Sequence, residues 1–299
     1  YAHAAHGYTD PDTGNEHFGL AGAMGIYTAA GSMFMPGDTS VVNNGDITAI
    51  AVAEDGITFF NAGAGASGIR ALATYDASVE NAGNITGGED GVVLMGDENQ
   101  LSNAGFIQGN TDTGWGVYVT GVENQITNSG TIDGFYGIGL YSSGNTVTNS
   151  GTISGEYIGI AAETGNGNSL VNTGLVSSLN DGIRVCGSNQ VANSGTISAG
   201  GTGIRGCDGE AITNAGTITA GAYGIRLLGD GNAVVNTGEI GGGTVGIEAM
   251  GDGNVIENSG TLSGTTFAVS FQGSGNSLEL LNGSIVEGTL AMGTGNLVA

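Results

Sequence analysis

Two cysteines, 21 residues apart, are the first groups in this chain whose type and spacing could do covalent chemistry. Cys186 lies three residues after Ile183, and Cys207 lies three residues after Ile204. If these isoleucines stack on neighbouring turns of a repeat, the cysteine Cα atoms lie near the spacing between strands, within the range of about 4.4–6.8 Å that a disulfide accepts. The alternatives are therefore a disulfide and two reduced thiols that face the core. A catalytic thiol is not expected, because no histidine lies near either cysteine in sequence or in register.

The arginines form a second candidate site, a predicted interaction column. The chain contains no lysine, and each of its four arginines follows the isoleucine of a Gly-Ile pair: Arg70, Arg184, Arg205 and Arg226. On stacked turns the last three would lie about 5 Å apart, where like charges repel unless an anionic group neutralises them. Two interpretations remain open. Acids on neighbouring turns, such as Glu248, neutralise the column, or the column binds an anionic glycan or an acidic segment of another protein.

Three aspartates at a spacing of 22 residues, Asp208, Asp230 and Asp252, form a third candidate site. Stacked carboxylates with nearby turn carbonyls have the oxygen ligands that Ca²⁺ prefers. The nonapeptide repeat of calcium-binding β-helices is absent, because the period here is about 22 residues. The alternative to a calcium site is a solvated acidic turn.

Catalytic groups are scarce in this sequence. All three histidines, His3, His6 and His17, lie near the beginning of the chain, before the repeats. No pair of acids stands in an otherwise apolar setting, as general acid–base catalysis on a polysaccharide would need. We therefore predict no catalytic residues, no enzyme activity and no cofactor other than the candidate calcium ion.

An internal repeat must position all these groups. The phrase Asn-x-Gly-x-(Ile/Val/Leu) recurs every 21 to 25 residues, beginning at Asn81, Asn103, Asn128, Asn149, Asn172, Asn193, Asn214, Asn236 and Asn258. Weaker copies begin at Asn43, Asn61 and Asn282, so the repeat has about twelve units. Asparagine tolerates left-handed backbone angles at a tight corner, and stacked side-chain amides can hydrogen-bond from turn to turn. The motif therefore has an architectural role.

Each repeat contains three short segments of alternating apolar and polar residues, separated by Gly, Asn, Ser and Asp. Alternation predicts strands with one buried face, and three such strands bury that face only when identical rungs stack. We predict an all-β fold, a right-handed parallel β-helix over residues 41–299, with about 12 rungs of about 22 residues and three strands per rung. One inward column would comprise Ile132, Ile153, Val176, Ile197, Ile218, Ile240 and Leu262.

Composition restricts the partners. The chain has 299 residues, 61 of them glycine, yet 39% are apolar, which favours an ordered β structure over a flexible linker. Its formal net charge of −24 disfavours nucleic acid and anionic lipid as partners. No stretch approaches the roughly 18 apolar residues of a membrane helix, so we expect no membrane insertion.

The two ends depart from the repeat. Residues 1–40 contain both prolines and all the histidines, and we expect them to form a cap or an arm that links subunits. At the other end, Gly295 to Ala299 begin a further strand. Two expectations remain open: the strand continues in a longer chain, or another copy of the chain completes the open edge by strand addition, which would join molecules head to tail.

The run Asn149-Ser150-Gly151-Thr152-Ile153 recurs as Asn128 to Ile132, Asn193 to Ile197 and Asn214 to Ile218. It resembles the repeats of bacterial autotransporter passenger domains and related haemagglutinin-like surface proteins, over roughly residues 41–299. The resemblance implies secretion to the bacterial cell surface, a right-handed β-helix, and adhesion or surface display. We expect an extracellular structural protein that self-associates into a filament. The alternatives are an adhesin passenger that binds host or matrix ligands and, third, a polysaccharide-acting enzyme.

Overall fold

The computed structural model describes residues 68–75 and 77–299, together with five earlier strands; side chains are described for residues 68–70 and 78–299. The described chain is all-β: it contains strands joined by turns and no helix. Parallel strands stack as a β-solenoid of about 10 turns with a spacing of about 22 residues, which confirms the predicted fold class. The right-handed coil remains a prediction from the usual hand of parallel crossovers.

The strands that end at the repeated asparagine pair in parallel in one column of 12 strands, which also includes two strands that end at Leu280 and Val298. These strands are Thr39–Asn43, Ala77–Asn81, Gln100–Asn103, Gln125–Asn128, Thr146–Asn149, Ser169–Asn172, Gln190–Asn193, Ala211–Asn214, Ala233–Asn236, Val255–Asn258, Ser277–Leu280 and Leu297–Val298. We call this the first column. Its register pairs like with like, so that Asn103 lies beside Asn128 and Asn128 beside Asn149.

The other strands form a second and a third column within one sheet. The second column comprises Asp46–Ala49, Asn84–Gly87, Phe106–Gln108, Leu175–Ser178, Thr196–Ala199, Thr217–Ala220, Glu239–Gly242 and Ile285–Ala291. The third comprises Ile26–Ala30, Ile69–Tyr75, Val92–Asp97, Trp115–Thr120, Asp181–Val185, Thr202–Gly206, Tyr223–Leu227 and Val245–Ala249. Three longer strands continue from the second column into the third: Thr131–Leu140, Thr152–Ala162 and Thr261–Phe271. Ile285–Ala291 also reaches the third column, because it pairs with both parts of Thr261–Phe271.

The core consists of inward apolar side chains that lie above one another. Ile132 pairs in register with Ile153, Ile153 with Val176, and the series continues through Ile197, Ile218, Ile240 and Leu262. All seven side chains have 0% exposure, so the inward column predicted from the repeat is confirmed. Full burial of each such side chain is worth about 1.5–3 kcal/mol, and only stacking provides it.

The repeated asparagines form a buried ladder along the first column. Each Nδ2 donates a hydrogen bond of 2.7–2.8 Å to the Oδ1 of the asparagine on the next rung, without interruption from Asn81 to Asn258. The predicted rung-to-rung amide bonding is therefore confirmed. The predicted left-handed backbone is wrong, because the non-glycine residues with positive φ in the described chain are Glu98, Glu123 and Ser188. Asparagine is needed here for its side chain, since burial demands that every donor and acceptor be bonded.

A second set of asparagines precedes the strands of the first column from Gln100–Asn103 onward, with Glu210 in the place of one of them. Their Oδ1 atoms accept the backbone N–H of the equivalent residue on the rung before, as in the bond of 2.8 Å from Asn145 N to Asn168 Oδ1. An equivalent bond occurs at every rung from Asn99 to Asn296, at 2.7–2.9 Å, with Glu210 Oε2 as the acceptor for Asn189. Each turn between strands is thus fastened to its neighbour by a side chain.

Glycine precedes the inward isoleucine of the third column because the rungs approach too closely for a side chain. A Cβ added to Gly182 would lie 2.6 Å from the carbonyl oxygen of Gly203 and 2.6 Å from Cγ2 of Ile197. The glycine of the Asn-x-Gly motif is equally confined: a Cβ at Gly151 would lie 2.1 Å from the oxygen of Gly130. Both glycine positions are therefore set by the packing distance between backbones.

The segment predicted as a cap or arm, residues 1–40, is described only in part. Tyr8–Thr9 pairs antiparallel with Glu16–His17, and these two strands form a sheet of their own. Ile26–Ala30 pairs in parallel with Ile69–Tyr75 of the third column. His3, His6 and the weak repeat copy at Asn61 lie outside the described residues.

The asparagine ladder generates a stability prediction. Asn149 is fully buried; its Nδ2 bonds to Asn172 Oδ1 and to the carbonyl oxygen of Leu175, and its Oδ1 accepts from Asn128. Asn149→Ala leaves these buried groups without partners, so we expect a loss of about 3 kcal/mol in the free energy of unfolding. Denaturant titration followed by circular dichroism measures it.

The matched control is Asn166→Ala on the same rung, because Asn166 is exposed and its backbone makes its rung-to-rung bonds. We expect a change there of less than about 0.5 kcal/mol. Equal effects of the two substitutions would mean that the ladder does not stabilise the solenoid.

Candidate functional site

The two cysteines lie one rung apart and form a disulfide. Cys186 and Cys207 have Cα atoms 4.7 Å apart, and no described cysteine is free. Each cysteine directly follows a strand of the third column, Asp181–Val185 or Thr202–Gly206. The disulfide therefore joins successive rungs covalently beside the predicted arginine column.

The four arginines occupy one register position of the third column. The pairings run from Arg70 through Val93, Tyr118, Gly139 and Ala161 to Arg184, Arg205 and Arg226, and then to Glu248. Arg184, Arg205 and Arg226 are on consecutive rungs, whereas Arg70 is five rungs from Arg184 along this series. Sequence spacing thus predicted the placement of all four.

Two buried acids and one exposed acid hold the three consecutive arginines. Arg184 donates from Nε at 2.9 Å and from Nη2 at 2.6 Å to Oδ2 of Asp181, which is buried, and from Nη1 at 3.2 Å to Oε1 of Glu163. Arg205 Nη1 lies 3.6 Å from the same Asp181 oxygen. Burial alone would lower the pKa of the Arg184 guanidinium, but its bonds to Asp181 and Tyr157 and the charges of Asp181 and Glu163 raise that pKa above its ordinary value. Arg184 is therefore a permanent cation in a closed ion pair.

The third arginine has its own partners. Arg226 Nε lies 2.6 Å from Oε2 of Glu248, and the other oxygen of Glu248 accepts a bond of 2.7 Å from Gln272 Nε2. The guanidinium of Arg226 also lies over the ring of Tyr223, 4.5 Å from its centroid. Among the described residues, acids on the same or neighbouring rungs thus match the three positive charges, as the structural interpretation of the column requires.

A cluster of aromatic rings lies directly beside Arg184. We call it the aromatic cluster, and its members are Trp115, Tyr118, Phe135, Tyr136, Tyr141 and Tyr157. Trp115 stacks on Tyr136 with centroids 4.0 Å apart, and Phe135 stacks on Tyr157 at 5.5 Å. Tyr141 is nearly perpendicular to Trp115, at 83°. The Arg184 guanidinium lies 5.5 Å from the Tyr157 centroid, so the cluster and the arginines form one continuous surface.

Gly139 and Asp90 hold the tryptophan in place. A Cβ at Gly139 would lie 2.4 Å from Cζ3 of Trp115 and 2.6 Å from Cε3, so the indole rests where Gly139 has no side chain. Asp90 Oδ1 accepts the backbone N–H of Trp115 at 3.0 Å. Burial raises the pKa of the Asp90 carboxyl, against the lowering effect of that hydrogen bond. The indole position is thus determined by two neighbouring rungs.

The phenol of Tyr141 stays protonated. Burial raises its pKa, and the neighbouring Tyr118, Tyr136, Glu163 and Asp90 raise it further. The hydroxyl therefore remains a hydrogen-bond donor at neutral pH, although 39% of the residue is exposed. Tyr157 is similarly exposed, at 37%.

The aspartate column lies on exposed turns. Asp208 Oδ1 accepts the backbone N–H of Asp230, Asp230 Oδ1 accepts that of Asp252, and Asp252 Oδ1 accepts that of Ser274, each at 2.7 Å. Each carboxylate therefore has a structural partner on the next rung. Among residues whose side chains are described, no three His, Cys, Asp or Glu groups come together as metal ligands.

Glu210 replaces asparagine in the second set of rung-to-rung bonds. Its Oε2 accepts the backbone N–H of Asn189 at 2.7 Å, while Oε1 and Asn189 Nδ2 are buried without hydrogen-bond partners in the described chain. Gly206 makes room for the longer side chain, since a Cβ there would lie 3.2 Å from Glu210 Cγ. Burial raises the pKa of Glu210, against the lowering effect of the hydrogen bond from the backbone N–H of Asn189.

Comparison of the chain with protein families, curated proteins and solved structures gave no match. The resemblance to bacterial surface proteins is thus supported only at the level of the parallel β-solenoid. No helix in the described part of the chain is long and apolar enough to span a membrane.

The repeat located the arginines but did not reveal the aromatic cluster. A signal for it was present: six of the eighteen aromatic residues, including the only tryptophan, lie between residues 115 and 157. Trp115 and Tyr136 are also 21 residues apart, one rung. Because this spacing matches the period of the repeat, it predicts that these two rings lie side by side on adjacent rungs.

Glu210 generates a pH prediction. A carboxyl whose pKa is higher in the folded than in the unfolded chain contributes stability at low pH, and that contribution is lost as the pH rises through the folded-state pKa. Glu210→Gln removes this dependence, so we expect its melting temperature relative to the parent chain to be higher at pH 7 than at pH 4. Thermal melts at both values measure the difference.

The control for this substitution is Glu239→Gln, because Glu239 is exposed. We expect its effect on the melting temperature to be the same at the two pH values. If Glu210→Gln also shifts the melting temperature equally at both, the carboxyl does not titrate differently in the folded chain.

The aspartate column generates a metal prediction. Because each Oδ1 already binds a backbone N–H, we expect the melting temperature to be the same in 5 mM EGTA and in 5 mM CaCl₂, at about constant ionic strength. Differential scanning fluorimetry measures it. A rise with calcium that disappears in Asp230→Asn would establish the calcium site instead.

Proposed function

We propose that this chain is an extracellular structural β-solenoid that associates with copies of itself into a surface filament or appendage. The observation that carries the proposal is the buried asparagine ladder, continuous from Asn81 to Asn258. Every rung is fastened to the next by side-chain hydrogen bonds as well as by strand pairing. A solenoid bonded in this way suits a structural role, in which it extends an appendage from the cell surface.

Three features support a location outside the cell. The Cys186–Cys207 disulfide is of a kind that persists in oxidising compartments. The net charge of −24 keeps a rod soluble, and four basic residues give trypsin-like proteases few places to cut. We therefore place the protein at the bacterial cell surface, with copies of itself as partners and without nucleic acid or membrane insertion.

Self-association is supported by the repetition itself. The hydrogen-bonding groups that one rung presents match those of the rung above, so a rung of a second copy offers the same complement. Contacts of that head-to-tail kind do not close on themselves and generate filaments.

The second candidate is an adhesive passenger domain, of the kind found in bacterial autotransporters. The observation that favours it is the outer surface formed by the aromatic cluster and the arginines, where partly exposed tyrosines lie beside closed ion pairs. A purely structural rod has no evident need for this concentration of rings on one side.

Electron microscopy tests the structural proposal. In negative stain, we expect purified protein to form filaments of constant width that lengthen with protein concentration, because head-to-tail contacts obey mass action. Size-exclusion chromatography with light scattering checks the mass distribution. Discrete rods of about 50 Å at every concentration would contradict filament formation and favour the adhesive passenger.

A further inference from the structure

The aromatic cluster and the arginines together form a straight surface along the solenoid. We call it the aromatic–arginine stripe, and it consists of the aromatic cluster with Arg184, Arg205 and Arg226. The register positions from Tyr118 to Arg226 cover six successive rungs. At the usual strand spacing, the stripe is about 24 Å long. A ligand that follows it is extended rather than compact.

The charges of the stripe argue against an anionic ligand. Asp181, Glu163 and Glu248 hold the guanidinium groups of Arg184 and Arg226, and Arg205 lies 3.6 Å from Asp181. An anion would have to displace carboxylates of which two, those of Asp181 and Glu248, are buried. The net charge of the whole chain, −24, repels polyanions further. Local neutrality thus favours an uncharged ligand.

The rings offer both apolar surface and hydroxyl groups. Tyr141 and Tyr157 are 39% and 37% exposed, and each is nearly perpendicular to a member of the Trp115–Tyr136 stack. Their phenols donate or accept hydrogen bonds, and the ion-paired carboxylates and guanidiniums beside them are fixed in direction. A ligand that suits this surface has apolar faces and a rim of hydroxyls.

We propose that the aromatic–arginine stripe binds an uncharged β-1,4-linked polysaccharide, laid along the solenoid axis. A pyranose ring has a C–H face that packs on an aromatic side chain and equatorial hydroxyls that bond to phenols, carboxylates and guanidiniums. A β-1,4 linkage makes the chain a straight ribbon, which suits a straight stripe. This role goes beyond the structural proposal, because binding would occur whether or not rods join end to end.

A protein partner is the competing occupant, since tyrosine, tryptophan and arginine are also common at protein interfaces. The stripe favours the saccharide because its arginines are already paired, whereas interface arginines gain their energy from groups on the partner. A lysine-rich peptide therefore serves as the probe for a protein partner.

Tryptophan fluorescence tests the proposal. Trp115 is the only tryptophan in the chain and lies within the aromatic cluster, so its emission reports on this site alone. We titrate the intact protein with hexasaccharides of β-1,4-linked glucose, xylose, mannose and N-acetylglucosamine, and with heparin and a lysine-rich peptide. We expect a saturable emission change with at least one of the four uncharged hexasaccharides and none with heparin or the peptide.

Substitutions locate the binding. We expect Tyr141→Ala and Tyr157→Ala each to raise the Kd at least about fivefold, because each removes a stacking contact of aromatic type. Val255→Ala is the matched control, because Val255 is 41% exposed but lies on the first column. Melting temperatures of all three variants verify that the solenoid remains folded.

The outcomes separate clearly. No emission change with any of the four hexasaccharides, or an equal loss of affinity in Val255→Ala, overturns the proposal. Binding of heparin or of the peptide in their place assigns the stripe to an anionic or a protein partner and also overturns it. Filament formation is scored independently by microscopy, so failure of either proposal leaves the other standing.

Discussion

The close and constant distance between rungs is the constraint on which the rest of this structure depends. Parallel strands pair about 4.8 Å apart, so any polar group turned inward must find its partner on the rung above or below. At the corner, asparagine meets this requirement because its side chain carries both a donor and an acceptor: Asn128 bonds to Asn103 on one rung and to Asn149 on the other. The same short distance requires glycine where the backbones of two rungs approach closely, as at Gly182. The period of about 22 residues is the length of one rung, so equivalent positions of successive copies come to lie at that distance.

The same constraint shapes the outer surface. Stacking brings equivalent positions of successive rungs into contact. Attractive pairs of side chains therefore stabilise the solenoid, whereas a pair with like charge needs an oppositely charged neighbour at another position of the rung. Arg184 and Arg205 face each other with like charge, and Asp181 relieves the repulsion because it lies on the same strand as Arg184, with its carboxylate buried between them. Trp115 and Tyr136 illustrate the favourable case, since adjacent rungs bring their rings into a stack. Surface chemistry in a solenoid is therefore organised in columns.

Sequence alone predicted whatever depends on the period. The inward isoleucines, the asparagine ladder and the shared register of the four arginines all follow from aligning copies of one repeat. It failed where a side chain reaches beyond its own column: the indole of Trp115 lies against Gly139, and the guanidinium of Arg226 covers Tyr223. It also misjudged the backbone of the repeated asparagine, because an αL corner and a buried amide ladder favour the same residue type. Periodicity identifies the rung and the register position of a residue, but it does not show which residue at another register position its side chain contacts.

The rung pair around Glu210 shows how a departure from the repeat is accommodated. At this pair the asparagine of the second set is lost, and both Asn189 Nδ2 and Glu210 Oε1 are buried without partners in the described chain. Two compensations occur on the same two rungs: Gly206 frees space for the longer acid, and the Cys186–Cys207 disulfide joins the rungs covalently. A covalent link remains in place whatever the protonation state of the acid. We therefore interpret the two features together: between these two rungs, the disulfide compensates for the side-chain hydrogen bond that Asn189 Nδ2 lacks.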